Sequence, residues 1–197
     1  MLWTTLILLA YLLGSVPTGV LIGRFRGVDP RAAGSRNTGA SNVARTMGAL
    51  WGGLTLVVDV SKAALATYLG LHYGGAYGLA CVCGFVAVLG HCYSVWMRFT
   101  GGKGVASAFG VVAVLLPVVA VVAALVWSVL LAFTRTPAIG SMVAAILFVV
   151  LPHAEANPFE IHGLTFSLAV VLVIRHRKNL AVLKERIIGN PRGSRKG

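Results

Sequence analysis

Acidic side chains are scarce in this chain of 197 residues: Asp29, Asp59, Glu155, Glu160 and Glu185 are the whole set, against 17 lysines and arginines. They are too few to supply the paired carboxylates that carboxylate-based acid–base catalysis needs, and no His/Glu cluster offers itself to a metal. Cysteine is scarce too. Cys81, Cys83 and Cys92 all fall in one apolar segment, and an odd number there builds no disulfide framework. Cys81 and Cys92 would lie about 16 Å apart along a helix, so they and His91 cannot share one ion; buried apolar thiols are the plainer reading. Charge of either sign makes up only 11% of the residues, where soluble domains carry roughly 25%. That shortage, with a mean hydropathy of +0.86, excludes the soluble nucleic-acid-binding domain that a net charge of +12 would otherwise suggest. Internal repeats, low-complexity tracts and soluble-domain stretches are absent as well. The first run, MLWTTLILLAYLLGSVPTG, lacks a basic stretch ahead of it and has arginines behind it, the reverse of a secretory signal. It reads as a first transmembrane helix with its N-terminus outside.

What the chain has in abundance is apolar runs: 2–23, 50–71, 76–97, 104–116, 118–134, 138–152 and 161–174. A square crossing of the bilayer takes about 20 helical residues, so the fourth, sixth and seventh are short. Pro117 alone divides the fourth from the fifth, which would permit one long kinked helix and six spans. Charge argues for seven. With the N-terminus outside, loops 24–49, 98–103 and 135–137 and the tail 175–197 all fall on the cytoplasmic side, with 16 of the 17 basic residues. The outer connections near 72–75, 117 and 153–160 hold none. Lys and Arg favour the cytoplasmic face, and six spans would put the basic tail outside. The fold expected is all-α: one polytopic membrane domain over 1–197, seven transmembrane helices, N-terminus outside and C-terminus cytoplasmic. A short helix within 153–160 is left open.

The same inner loops hold the polar chemistry. Residues 32–48 read AAGSRNTGASNVARTMG. Gly34 and Gly39 permit the positive φ that turns successive N–H groups toward an anion. Ser35, Thr38 and Ser41 add hydroxyls, and Asn37 and Asn42 add amides. A helix over Ser41–Met47 would set Ser41 and Arg45 on one face. In GGKGVAS, Gly101, Gly102 and Gly104 surround Lys103 ahead of a helix, where close backbone approach, free N–H groups and an ammonium make a phosphate site. It is not a nucleotide P-loop, because Gly104 stands where Ser or Thr is required. Arg135 at a helix end and Ser141 about one turn into the next helix are weaker signals. In RHRKN, His176 and Asn179 share a helix face, although composition alone would make that segment a basic juxtamembrane helix. Asp59 and Lys62, three apart inside the second span, are expected to pair toward the bundle; structural pairing and support of a substrate site are both open.

GSRNTGASN followed by Arg45, then GHCYSVWMRFTGGKGVAS, then RHRKNL, with Asp59-Val60-Ser61-Lys62 between them, resemble in order and spacing the motifs of bacterial acyl-phosphate:glycerol-3-phosphate acyltransferases. The resemblance runs over essentially the whole chain. It implies a seven-helix enzyme of the bacterial cytoplasmic membrane, with its site on the cytoplasmic side. Such an enzyme moves a fatty acyl group from acyl phosphate to the 1-position of glycerol 3-phosphate, giving lysophosphatidate and inorganic phosphate in phospholipid biosynthesis. No cofactor, metal or nucleic acid is implied; the expected partners are the two substrates, membrane lipid and an upstream enzyme that forms acyl phosphate. By position, Ser35, Arg45, Lys103, His176 and Asn179 would be catalytic. Asn37, Gly39, Ser41, Asn42, Gly101, Gly102, Lys103, Gly104 and Ser141 would bind substrate or phosphate. His176 would be either a general base or a hydrogen-bonding partner. The chain departs from the pattern at Ser41, where the family usually has Thr, at Tyr93 and Ser94 after the second motif's histidine, and at Asn190, where a glutamate is common.

Three other functions compete, and the nearest enzymatic one is a different lipid-phosphate transferase. A phosphate or organophosphate transporter would show symmetry-related broken helices near mid-bilayer, and this chain has no repeat. A lipid-binding membrane protein would explain the basic tail but not GGKG or Ser35-Arg36-Asn37.

Overall fold

The structure, a computed structural model, describes residues 1–154 and 156–188; Glu155 and residues 189–197, Asn190 among them, lie outside the described residues. Within those bounds the chain is helical and holds no strand. The helices are α1 (Leu2–Ser15), α2 (Thr18–Arg26), α3 (Ala40–Met47), α4 (Ala49–Gly74), α5 (Tyr77–Cys92), α6 (Val105–Leu115), α7 (Pro117–Thr134), α8 (Pro137–Val150) and α9 (Phe159–Ile188), with 3-10 turns at Val95–Met97 and Leu151–Ala154. Among the described residues, six segments are long and apolar enough to cross a membrane, namely Leu2–Arg26, Ala49–Gly74, Tyr77–Met97, Pro117–Thr134, Pro137–Ala154 and Phe159–Asn179. Val105–Leu115 is apolar but shorter. The described residues of 153–160 hold the end of a 3-10 turn and the start of α9.

The first apolar run is not one straight helix. Pro17 has no N–H to give, and its ring crowds the preceding turn, so α1 stops at Ser15 and α2 restarts at Thr18. Val20 then donates to the Pro17 carbonyl in place of Val16, and the Val16 carbonyl accepts instead from Lys62 Nζ at 2.8 Å. Small residues let the helices touch backbone to backbone. A Cβ on Gly14 would overlap the Ala87 carbonyl, and one on Gly110 would overlap that of Val60. The buried interior gathers Ala63, Ala66, Ala87, Val88, Val111, Phe148, Leu168 and Leu172, while Leu8, Leu125, Phe133 and Phe166 face outward, where lipid would cover them.

Helix directions follow from these contacts. α4 and α5 are antiparallel: Gly70 lies against Ala80, and Gly84 against Thr67. α6 runs with α4, since Ser107 reaches Asp59 and Gly110 reaches Val60 and Ala64. α9 runs with α5: Glu160 at its start is within electrostatic reach of Cys81, and Arg175 near its later end meets the loop just past α5. The shortness of α6 now has a cause. Its first turn lies level with Asp59, about 15 Å along α4 from that helix's start. The loop before α6 is therefore sunk into the bundle, and 11 residues complete the run.

Candidate functional site

The first loop is organised by one buried amide. Asn42 Nδ2 donates to the carbonyls of Pro30 at 2.8 Å, Ala33 at 3.1 Å and Asn37 at 2.9 Å. Its Oδ1 accepts the Ser35 N–H at 2.7 Å. Gly34 takes φ +59°, and a Cβ there would also overlap Asn42 Oδ1. Gly39 does not use the left-handed freedom that the sequence allows it; it is extended at the N-terminus of α3, its N–H held by Asn37 Oδ1 at 2.8 Å. Arg36 is left-handed at φ +55°, a conformation uncommon for a residue with a Cβ. Thr38 is buried, whereas Ser35, Ser41 and Arg45 remain exposed. α3 starts one residue before Ser41, and Ser41 and Arg45 stand a turn apart on it, as expected.

The second loop is held from outside. Gly102 N–H donates to the His91 carbonyl at 3.1 Å. A Cβ on Gly101 would overlap that same carbonyl, and one on Gly102 would overlap the His91 ring at Nε2. From α9, Arg175 Nη2 donates to the Gly101 and Gly102 carbonyls, each at 2.8 Å, and Nε donates to Gly102 at 3.1 Å. The same guanidinium lies over the Tyr93 ring, 5.0 Å from its centroid. Gly104 opens α6 at φ +86°, the conformation glycine alone adopts cheaply.

Between Gly102 and Gly104 this leaves Lys103 half-buried, with no acceptor on its ammonium among the described residues. Burial, then Arg175, then Arg45 push its pKa below the ordinary lysine value. On α9, His176 is buried with Nδ1 2.8 Å from the Leu172 carbonyl. A carbonyl only accepts, so Nδ1 carries the proton, and in the neutral ring Nε2 has the lone pair. His176 is within electrostatic reach of both Lys103 and Arg175. Asn179 follows one turn later, half-buried. The structure thus gathers Arg45, Lys103, Arg175 and His176 at one end of the bundle. Ser141 lies in the α7–α8 pair, donating to the Pro137 carbonyl at 2.8 Å, with Trp127 Nε1 at 3.4 Å; no hydrogen bond among the described residues joins it to Lys103.

Beneath this end lies a buried polar cluster. Asp59 pairs with Lys62 at 2.8 Å, their side chains 2% and 7% exposed. Thr18 Oγ1 donates to Asp59 Oδ1 at 2.9 Å, and His91 Nδ1 stands 3.5 Å from the same oxygen. The pair expected from the sequence faces the bundle. The sequence assigns neither Arg175 nor His91 a role in the site. Arg175 reads as one more charge of a basic tail, and His91 enters only as a rejected metal ligand and as the histidine of the second motif, ten residues before the glycine pair. Cys81, Cys83 and Cys92 are buried free thiols, and no group of three metal-ligating side chains occurs among the described residues.

A multi-helix membrane bundle with cationic side chains gathered around a glycine loop at one end defines a membrane protein with a site suited to an anion. The comparisons with known proteins are specific. The family model for glycerol-3-phosphate acyltransferase matches residues 4–186. The glycerol-3-phosphate acyltransferase of Myxococcus xanthus is 41% identical over 185 residues, 93% of this chain and 96% of that one. Its counterpart from Thermus thermophilus is 40% identical over 185 residues, 93% of this chain and 91% of that one. The crystal structure of PlsY (YgiH), an integral membrane glycerol 3-phosphate acyltransferase, in its glycerol 3-phosphate form, superposes with a TM-score of 0.90 at 30% identity, covering 96% of this chain and all of that one. Its lysophosphatidic acid form gives 0.88 at 33% identity, over 93% and 92%. The chain belongs to the glycerol-3-phosphate acyltransferase family. It is a multi-pass membrane acyltransferase of the PlsY type, and neither transporter nor lipid scaffold finds support.

Proposed function

We propose that the protein transfers a fatty acyl group from acyl phosphate to the 1-hydroxyl of glycerol 3-phosphate, releasing lysophosphatidate and inorganic phosphate. The observation that carries this is the unpaired Lys103 ammonium among the described residues, sunk between glycines with Arg45 and Arg175 in reach. Three cations with no carboxylate paired to them among the described residues suit two phosphate-bearing substrates better than any carboxylate chemistry. Asp29 is held by Arg31 on an exposed turn, Asp59 is held by Lys62, and Glu160 opens α9 at the opposite end.

In this reading Lys103 and Arg45 hold phosphate, and the loop of Gly101, Gly102 and Gly104 around Lys103 closes on glycerol 3-phosphate, its shape fixed by the Gly102 N–H on the His91 carbonyl. Ser35, Ser41, Asn37, Asn179 and Ser141 orient substrate oxygens, while Asn42 and Gly39 shape the first loop around them. The glycerol hydroxyl attacks the acyl carbonyl, the bond from that carbon to the phosphate oxygen breaks, and the departing phosphate takes the hydroxyl proton. His176, its Nε2 free to accept, aligns that hydroxyl. The donor is already activated, so positioning and charge stabilisation supply most of the catalysis.

The topology that fits is seven crossings, N-terminus outside, with the site on the cytoplasmic side of the bacterial inner membrane. α9 runs with α5, and this supports a reversal at Leu116–Pro117, where Leu116 leaves helical geometry. Were α6 and α7 one crossing, α9 would run against α5. An upstream enzyme that makes acyl phosphate completes the reading. The test is the purified enzyme with labelled glycerol 3-phosphate and either acyl phosphate or acyl-CoA. Product from acyl phosphate alone is expected; product from acyl-CoA alone would overturn the donor assignment.

A further inference from the structure

The buried cluster below the site has an outlet toward it. The His91 imidazole is wedged between Asp59 Oδ1, 3.5 Å from Nδ1, and the α-carbon of Gly102, which has no room for a Cβ on its Nε2 side. The His91 carbonyl holds the Gly102 N–H and blocks a Cβ on Gly101. Asp59 is fixed in turn by Lys62 at 2.8 Å and Thr18 at 2.9 Å, and Lys62 is fixed by the Val16 carbonyl at the break between α1 and α2. The Asp59 backbone carbonyl accepts from Ser107 in α6, just past the loop, at 3.3 Å. The side chains of Thr18, Asp59, Lys62, His91 and Ser107 are all buried.

Burying an ion pair in a membrane bundle is costly, and such pairs mark positions where something must be held in place. We infer that His91 is a positioning residue for the reaction: braced by Asp59, its ring sets how far the Gly101-Gly102-Lys103 backbone sinks into the bundle, and so where the Lys103 ammonium meets the phosphate of glycerol 3-phosphate. The inference rests on the proposed use of Lys103. It differs from a plain stability role in one respect: the ring and the missing Gly102 side chain must fit each other.

A double-mutant cycle tests this fit. Gly102→Ala places a methyl on the imidazole and pushes the loop outward; KM for glycerol 3-phosphate is expected to rise about tenfold or more with kcat much less changed. His91→Ala removes the obstacle and slackens the loop, raising KM by a smaller factor. In the double variant the new methyl occupies the space the ring has left, so its KM falls below that of Gly102→Ala alone. A double-variant KM at the product of the two single effects would overturn the inference. His91→Ser and His91→Asn repeat the cycle should His91→Ala not be recovered folded, as judged by gel filtration and thermal unfolding in detergent. Asp59→Asn adds a second readout: a raised KM for glycerol 3-phosphate with KM for acyl phosphate unchanged is expected, and equal rises in both would contradict positioning of Lys103. Wild-type turnover is measured beside these, so failure of the acyl-phosphate reading is seen separately from additivity in the cycle.

Discussion

The two loops that build the site contain similar residues but are held by opposite means. The first is tied from within: Asn42, 5 to 12 residues from the backbone it gathers, takes three carbonyls and one N–H. The second ties itself hardly at all. Its glycines are gripped by Arg175, more than 70 positions away in sequence, and by His91, which is braced by Asp59 of α4. A self-tied loop keeps its shape wherever its helices go. An externally tied loop reports the packing of three helices on one backbone segment, which suits a loop whose lysine is proposed to grip phosphate.

The largest expected effect comes from removing what the second loop presents. Lys103→Ala should lower kcat/KM roughly 10²–10³-fold while thermal unfolding in detergent stays close to wild type; near-normal turnover by the purified variant would sink the assignment. The self-tied loop should fail differently. Asn42→Ala takes the amide partner from the buried Pro30 carbonyl and from the part-buried Asn37 carbonyl and Ser35 N–H, at about 1–3 kcal/mol for a buried group left unsatisfied, so both melting temperature and activity should fall together. Arg175→Lys keeps the charge but not the fork that spans two carbonyls. KM for glycerol 3-phosphate should rise about tenfold, the worth of one charge-assisted hydrogen bond, with stability little changed; a fall in stability without a KM change would erase the contrast between the loops.

pH sharpens the comparison further. The lysine pKa is lowered by burial and by Arg175 and Arg45, and only the ammonium form binds phosphate. As pH rises through that lowered value the free enzyme loses the cation, so kcat/KM for glycerol 3-phosphate should drop on the alkaline side before an ordinary lysine would titrate. Bound dianion holds the proton on, so kcat persists to higher pH. In Lys103→Arg, if active, that limb should vanish, because guanidinium stays charged. The smallest effect belongs to Asp29 and Arg31. Their contact is as short as the Asp59–Lys62 one, 2.8 Å, but 43% and 51% of each side chain is exposed. Arg31→Ala should change stability by about 0–1 kcal/mol, within the error of a melting curve.

These contrasts also explain what could be read without coordinates. Helix positions, the pairing of Asp59 with Lys62, the helix carrying Ser41 and Arg45, and the Gly-Lys-Gly entry to α6 are local patterns, set by hydropathy, i to i+4 spacing and glycine chemistry. The break at Val16–Pro17 was legible in principle from Pro17, yet the run reads as one span by hydropathy. The work of Arg175 and His91 was not legible. Nothing near an arginine in a basic tail says that it bridges carbonyls of residues 101 and 102, and no spacing rule announces an imidazole that needs a glycine opposite. The sunken start of α6 was seen only as a run too short for the bilayer; the cause lies in how deep its preceding loop is held.

The central claim, that Lys103 in its held loop grips the phosphate of glycerol 3-phosphate, is tested most directly by equilibrium binding of labelled glycerol 3-phosphate to purified wild type and Lys103→Met, with glycerol as the competitor that lacks phosphate. The account predicts saturable binding to wild type that glycerol does not displace, and an affinity at least about tenfold weaker in the variant, the loss of one charged contact. Equal affinity of the two proteins would contradict it.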